Sequence, residues 1–501
     1  MSSQPIQIRG RRITIGLLML GLTLLPLGCS GTQQTQSETS TQSERTRLIS
    51  EADALADFDA AWQIVYDTHY DTEFNGVDWV AVRDELRPAA ANAHTRGELR
   101  AIMMDMLNRL GQSHFGIIPG AAADPAPERH ATNHDHDAIP TDDEPGEMGE
   151  DGYREIDVVV PQDNRDGEGD ADTGIDLRII EGHAVVSSVR ENSPAQHAGV
   201  KTGWILSKIR DREVDGILAQ LREALSEEEM GIHAVSLLSG QLQGPDQSTA
   251  RLTFLDEADH EVELSIEREP MPGEFVKFGN LPPMSTHLDW KRESFVNNDG
   301  ERVEIGIIKF NIWMIPIAPK FERAMYELRD CDGLIIDLRG NPGGVGALSA
   351  AIGRFLVDEK ASLGTMTMRG AELSFNIDPV IVTTWGEEID PFAGPIAILQ
   401  DSGSASTSEV FAGGLQSLGR VEVIGTRSAG MALPASMDKL PSGDVLLHAI
   451  ADFVSSTGAR MEDGGVVPDI EVKLSREDLL KGIDTPETVA KQWISEQIDA
   501  K

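Results

Sequence analysis

Hydrophobic and polar positions change period along this chain, and each change marks a different kind of element. Between residues 50 and 112 the apolar residues fall at helical spacing. Leu55, Phe58, Trp62 and Val65 share one face, and Leu99, Ile102, Met103, Met106, Leu107 and Leu110 form a second stripe closed by Gly111. Met and Leu residues at this spacing are core, not a cofactor box. Residues 120–172 keep no period: they are acidic, with scattered Pro, Gly and His, and only the run 156–160 reads as a strand. Between 174 and 268 the pattern alternates with Gly and Asp turns, giving strands near 184–186, 205–209, 251–254 and 261–264 and so a small β-rich module. From 302 to 475 short apolar runs at 305–308, 334–337, 396–399 and 421–424 are mixed with helical stretches. That mixture predicts an α/β layered domain.

The amino terminus has its own logic. Arg9, Arg11 and Arg12 precede an apolar stretch from Ile13 to Leu27, too short to span a bilayer comfortably, and Gly28-Cys29-Ser30 follows. This is similar to a bacterial lipoprotein signal, in which the cysteine is lipidated and becomes the mature N-terminus; the plainer alternative is an ordinary secretory signal. Residues 1–29 are therefore expected to be a signal segment with Cys29 lipidated, and residues 30–47, rich in Ser, Thr, Gln and Glu, a flexible tether. The protein is expected to be secreted across a bacterial cytoplasmic membrane, facing the periplasm or the cell surface.

Charge excludes one class of partner. The chain has 501 residues and a net charge of −40. Nucleic-acid binding wants a basic face, so it is not expected. Removing residues 1–28 takes three arginines and no acid, which moves the charge to −43. Such a body is held off anionic membranes, so a lipid at Cys29 would be the anchor. Cys331, the second of two cysteines, borders an apolar run and reads as a small core residue. His130, His134 and His136 lie in the acidic stretch at a spacing that fits no structural zinc site. No metal or organic cofactor is implied.

Four segments carry candidate chemistry. The run 395–399 leads into Ser404-Ala405-Ser406-Thr407-Ser408-Glu409, where a helical pattern opens. A hydroxyl at a strand-to-helix junction sits beside free N–H groups and the positive end of a helix dipole. A serine nucleophile there has its anion stabiliser in place. The same letters are also a capping box, which most S-x-x-E segments merely are. Asp337-Leu338-Arg339-Gly340-Asn341-Pro342-Gly343-Gly344 is a glycine-rich turn after a strand, able to aim backbone N–H groups at an oxyanion. Gln112-Ser113-His114 places a histidine just past a helix end, where a general base is possible but a structural role is commoner. Glu462 precedes a glycine turn, usually the place of a solvated acid.

Taken in order, these segments resemble the tail-specific or C-terminal-processing serine peptidases, and more closely their tricorn-core branch. Between the His segment and the Asp-Leu-Arg segment, Ser193-Pro194-Ala195 with Ala198-Gly199-Val200 and Gly203 resembles a PDZ-like module; Glu462 with Gly465-Val466 and Pro468-Asp469 completes the order. The resemblance covers roughly residues 55–475. It implies an α/β, crotonase/Clp-like catalytic core with a helical N-terminal region and an inserted PDZ-like domain. The divisions expected are 48–119 helical, 120–172 acidic linker, 173–270 PDZ-like, 271–475 peptidase core and 476–501 a helical tail.

The roles implied by the resemblance are specific. Ser406 is the nucleophile, and the dyad branch would carry its lysine 25 residues on, where this chain has Met431. The histidine branch then applies, with His114 as base, assisted by Ser113 and Glu462. The Thr407 N–H, with one from Gly343 or Gly344, forms the oxyanion hole. Gly174-Ile175-Asp176-Leu177 is the candidate peptide-binding loop, in which Asp176 would repel a terminal carboxylate. Unfolded or tail-exposed polypeptides are the implied substrates. Two alternatives stay open: a catalytically inactive PDZ-like scaffold on a degenerate core, or a Ser-Lys peptidase with an unrecognised lysine, of which Lys439 is nearby in sequence.

Overall fold

The computed structural model describes residues 48–120, 169–224, 227–277, 283–297, 300–379, 382–462 and 464–499. The lipidation site expected at Cys29, the tether and nearly all of the acidic stretch with its three histidines and the strand expected at 156–160 lie outside them.

Three helices open the described chain: α1 (Glu51–Thr68), α2 (Trp79–Ala91) and α3 (Arg96–Asn108). Ser50, Asp78 and Thr95 cap their N-termini by accepting the N–H three residues on, as such residues do. The two apolar stripes meet: Phe58, Trp62 and Val65 pack with Leu99, Met103, Met106, Leu107 and Leu110, while Leu55 and Ile102 are half-buried. The third helix ends at Asn108, and Gly111 follows at φ +60°, where a side chain would be strained. The short strand β1 (Gly116–Ile118) comes next.

The alternating region forms one antiparallel sheet from β2 (Ile175–Ile180), β3 (His183–Val189), β4 (Ile205–Ile209), β5 (Thr249–Leu255) and β6 (Glu261–Glu267), in that order. Between β4 and β5 the chain forms two helices that the strand pattern does not announce, α4 (Val214–Ala224) and α5 (Glu227–Leu242). Met230, Ala234, Leu238 and Leu242 recur every fourth residue on α5 and join the sheet's core.

The α/β layer expected after residue 302 is built on a six-stranded sheet. Its strands are β7 (Leu288–Val296), β8 (Arg302–Phe310), β9 (Gly333–Asp337), β10 (Ile396–Gln400), β11 (Glu422–Gly425) and, at the far edge, Ile470–Glu471. The first pair is antiparallel and the remaining pairs are parallel. Both faces are covered at the central strands β9 and β10, which is why residues 334–336 and 396–399 read as unbroken apolar runs. Leu334, Ile336, Ile396 and Ile398 face a core with α6 (Ile317–Leu328) and α7 (Thr407–Ser417). Ile335, Ala397 and Leu399 face the other way, onto Ala490 and Ile494 of α8 (Thr485–Asp499). Cys331 is buried in the first core, and burial pushes its thiol up to about 11. It is a packing residue.

One more pairing positions the site. Strand β1 lies antiparallel to Val445–Ala449, which pairs with Ala435–Lys439. The N-terminal helices are thereby stitched to the α/β domain directly beyond His114.

Candidate active site

Ser406 stands where β10 passes into α7, at the N-cap of the helix. Its backbone is at φ +53°, ψ −115°, a conformation that costs a non-glycine residue on the order of 1–3 kcal/mol and persists only where its surroundings impose it. The surroundings are specific. The Ser406 N–H donates to Met431 O and to Glu409 Oε2, each at 2.9 Å. Ser406 itself is fully buried, and its Oγ has no hydrogen-bond partner among the described residues.

The glycine turn lies against this serine. A Cβ placed on Gly343 would come 2.7 Å from Ser406 Cβ and 3.0 Å from Thr407 N, so only glycine fits. Thr407 Oγ1 donates to Gly344 O at 2.8 Å and Ser408 Oγ to Asn341 O at 2.9 Å. The Gly343 N–H is engaged by Asn341 Oδ1 at 3.0 Å. The turn is anchored from behind by a buried ion pair, Arg339 to Asp337 at 2.7 Å and Asp484 at 2.9 Å. Burial alone would raise Asp337; the adjacent guanidinium overrides it and holds the carboxyl at about 2.

His114 comes from the other side of the site, at φ +62° and 4% exposed. Ser113 Oγ donates to Glu462 Oε2 at 3.0 Å and lies 2.7 Å from His114 Nδ1. A hydroxyl has one hydrogen. With it given to Glu462, the oxygen must accept from His114, which places the imidazole proton on Nδ1 and leaves a lone pair on Nε2. That nitrogen, like Ser406 Oγ, is buried without a partner among the described residues. Burial lowers His114 to about 4, so it is neutral at physiological pH. Glu462 also accepts the Ser113 N–H and the Ala432 N–H, each at 2.9 Å.

A single peptide unit joins the two halves. The carbonyl of Met431 receives the Ser406 N–H, and the N–H of Ala432 in the same unit goes to Glu462. Three stretches far apart in sequence, Ser406, the adjacent Ser113 and His114, and Glu462, are thus linked through this peptide unit, with no hydrogen bond directly between Ser406 Oγ and His114 Nε2. Met431 is half-buried and packs with Ala405, Ala429 and Ile232 of α5. Helix α5 closes this side tightly, since a Cβ on Gly231 would fall 1.9 Å from Ser402 Oγ. Lys439 is exposed on its strand.

In the β-rich module, Gly174 is at φ +79° and its carbonyl receives the Arg190 N–H at 2.9 Å. Ile175, Asp176 and Leu177 begin β2, an edge strand of its sheet. The expected repulsion from Asp176 is blunted, because Ser188 Oγ donates to it at 2.7 Å and Lys309 Nζ at 3.3 Å. Arg178 reaches across to Asp401 at 2.6 Å, tying the module to the serine loop. Sequence reasoning gave Glu409 only a helix-capping role; in the structure it accepts four hydrogen bonds beneath Ser406.

Residues 304–472 match the model of peptidase family S41, and residues 50–108 that of the tricorn protease C1 domain. The chain is similar to the chloroplastic carboxyl-terminal-processing peptidase 3 of Arabidopsis thaliana, 25% identical over 82% of this chain and 67% of that protein. It is 24% identical to a carboxyl-terminal-processing protease of Synechocystis, over 48% of this chain and 53% of that one. A probable CtpA-like serine protease of Staphylococcus aureus is 21% identical over 63% of this chain and 55% of its own length. The chain thus spans little more than half the length of two of these three relatives. In fold it is similar to the photosystem II D1 C-terminal processing protease, with TM-score 0.52, 18% identity and coverage of 86% of this chain and 98% of that one. It is also similar to mature CPAF, with TM-score 0.56, 14% identity and coverage of 90% and 98%. The chain thus has a stretch, 304–472, similar to peptidase family S41, on a mixed α/β fold with a helical N-terminal region, as its motifs lead one to expect.

Proposed function

We propose that the protein is a serine endopeptidase using Ser406 as nucleophile and His114 as base. The observation that carries this reading is the hydrogen-bonded line Glu462–Ser113–His114, which ends on a buried, unpartnered Nε2 while Ser406 Oγ is likewise buried and unpartnered. As Ser406 Oγ attacks a peptide carbonyl carbon, its proton passes to His114 Nε2. The carbonyl π electrons move to oxygen. When the C–N bond breaks, His114 returns the proton to the leaving amine, and a water hydrolyses the acyl-serine by the same steps in reverse order. Glu462, acting through Ser113, stabilises the imidazolium. The Thr407 N–H and the Gly344 N–H serve the oxyanion, with Gly343 supplying the close approach rather than a free donor.

Substrates are unfolded or tail-exposed polypeptides. The β-rich module is PDZ-like and would receive a peptide as an added strand on β2, starting at Gly174. The catalytic core is crotonase/Clp-like, and the divisions 173–270, 271–475 and 476–501 describe module, core and tail. The chain is secreted in a bacterium and lipidated at Cys29. Among the described residues no helix is long and apolar enough to cross a membrane. Ser406 and His114 are both buried, and Ile232 of α5 packs on Ala405 beside the serine, so substrate entry requires movement on this side of the site.

The scaffold alternative draws on Met431, and the lysine alternative on Lys439. Incubating an unfolded protein with the full-length enzyme and with Ser406→Ala, and identifying fragments by mass spectrometry, tests the reading. Cleavage by the parent alone is expected; equal cleavage by both would refute Ser406 as nucleophile.

A further inference from the structure

Glu409 is fully buried at the third position of α7, and all four groups around its carboxylate are donors. Oε2 accepts the Ser406 N–H at 2.9 Å and the Met431 N–H at 3.0 Å. Oε1 accepts Ser428 Oγ–H at 2.6 Å and the Gly430 N–H at 2.7 Å. Ser428 Oγ cannot turn its proton elsewhere without loss, because it already accepts the Val466 N–H at 2.6 Å. A capping box needs only the first of these bonds. The other three tie down the segment 428–431, which ends in the peptide unit shared with Glu462.

We propose that ionised Glu409 is the positioning residue of the nucleophile: it fixes the Ser406 backbone and segment 428–431 together, and protonating it disables the site. The proposal rests on Ser406 being the nucleophile. Its logic is one of hydrogen-bond supply. A carboxylate with four donors is satisfied only when it has no proton of its own, since a protonated carboxyl would press its O–H against a donor. The Ser406 N–H, held by Glu409 and Met431 O, is turned away from any oxyanion, which leaves the next amide, that of Thr407, as the available one.

The charged surroundings make this ionisation responsive to pH. None of the four donors on Glu409 is cationic. The charged group acting on it is Glu462, a like charge across the 431–432 peptide, with His114 beyond it on Ser113. Arg427, next to Ser428, donates instead to Gly464 O. Burial therefore outweighs the donors and pushes Glu409 up to about 7. His114, lowered to about 4, is neutral throughout this range and does not generate the same limb.

The experiment is hydrolysis of a dye-labelled unfolded casein by the full-length protein between pH 5 and 9, for the parent, Ser428→Ala and Glu409→Gln. The parent is expected to gain activity as pH rises through about 7. Ser428→Ala removes one donor, so its rise should move to higher pH by about one unit, with the plateau lowered no more than about tenfold. Glu409→Gln faces two donors with an NH2 group, so kcat should fall on the order of 100-fold with the limb near 7 gone. A Ser428→Ala profile superimposable on the parent's would overturn the proposal even if Glu409→Gln failed to fold. So would a Glu409→Gln enzyme with the parent's kcat and profile. A parent that cleaves nothing at any pH would instead refute the peptidase reading beneath it.

Discussion

Two glutamates hold consecutive amides, Glu409 the Met431 N–H and Glu462 the Ala432 N–H, and they divide the site. Glu462 and Glu409 are both buried, and both accept backbone N–H groups as well as a serine hydroxyl. They differ in what the serine does next. Ser113 passes the charge of Glu462 to a titratable ring, whereas Ser428 receives only a backbone N–H from Val466. In the proposed mechanism the first carboxylate therefore tunes the base, and the second shapes a backbone. Residue type and burial are the same; the partner beyond the hydroxyl decides the role. His114 and Glu409 are correspondingly displaced in opposite directions, one to about 4 and the other to about 7. Burial favours the neutral form of each, which lowers the histidine and raises the carboxyl.

The contrast can be broken from its strongest end. Ser406→Ala or His114→Ala should each lower kcat on the order of 10^4-fold or more in a peptide-hydrolysis assay. Glu462→Gln, which keeps the shape but not the charge, should cost about 10^3-fold, and Ser113→Ala about 10^2-fold, with KM little changed. If Ser113→Ala were silent, the relay from Glu462 to His114 would have no functional meaning. Lys439→Ala should change kcat/KM less than about twofold, as expected of a surface side chain, and a large loss would favour the lysine alternative.

A smaller effect concerns stability. The unfolded chain binds a proton at His114 near pH 6.5, the folded one only near 4. The folded state therefore loses about 3 kcal/mol as pH falls through that window, and the full contribution is present above 6.5. Glu409 has the opposite sign. Its folded value of about 7 lies above the ordinary 4.5, so stability is lost as pH rises from 4.5 to 7, again by about 3 kcal/mol. Between pH 4.5 and 6.5 the two oppose each other. Glu409→Gln should remove one of them, so its urea-unfolding free energy should climb with pH across that window more steeply than the parent's. Parallel curves would mean that Glu409 does not titrate there.

Much of the core was legible because burial leaves a plain mark. Residues 334–336 and 396–399 read as unbroken apolar runs because the sheet is covered on both faces there, and they are strands. The helical stripes from Phe58 to Leu110 likewise meet one another. Helix α5 was missed although Met230, Ala234, Leu238 and Leu242 are four apart, because Gly231 and Gly240 interrupt it and Ile232 looks to the opposite side, toward Ala405. An element serving two surfaces blurs its own period. Within the site, the order of motifs pointed to Ser406, His114, Ser113 and Glu462, of which Ser113, His114 and Glu462 are joined by hydrogen bonds. The role of Glu409 was hidden behind its capping-box spacing, and Ser428 gave no signal, since its partner lies 19 residues earlier in the chain.

The most direct test of the base assignment is cleavage of an unfolded polypeptide by Ser406→Ala, His114→Ala and the double variant, read by mass spectrometry beside the parent. Residues that act as one unit do not add. The account predicts that each single variant falls to the same residual rate and that the double variant is no slower. A His114→Ala enzyme that still cleaves at a substantial fraction of the parent's rate, with Ser406→Ala inactive, would contradict it and move the base to another residue.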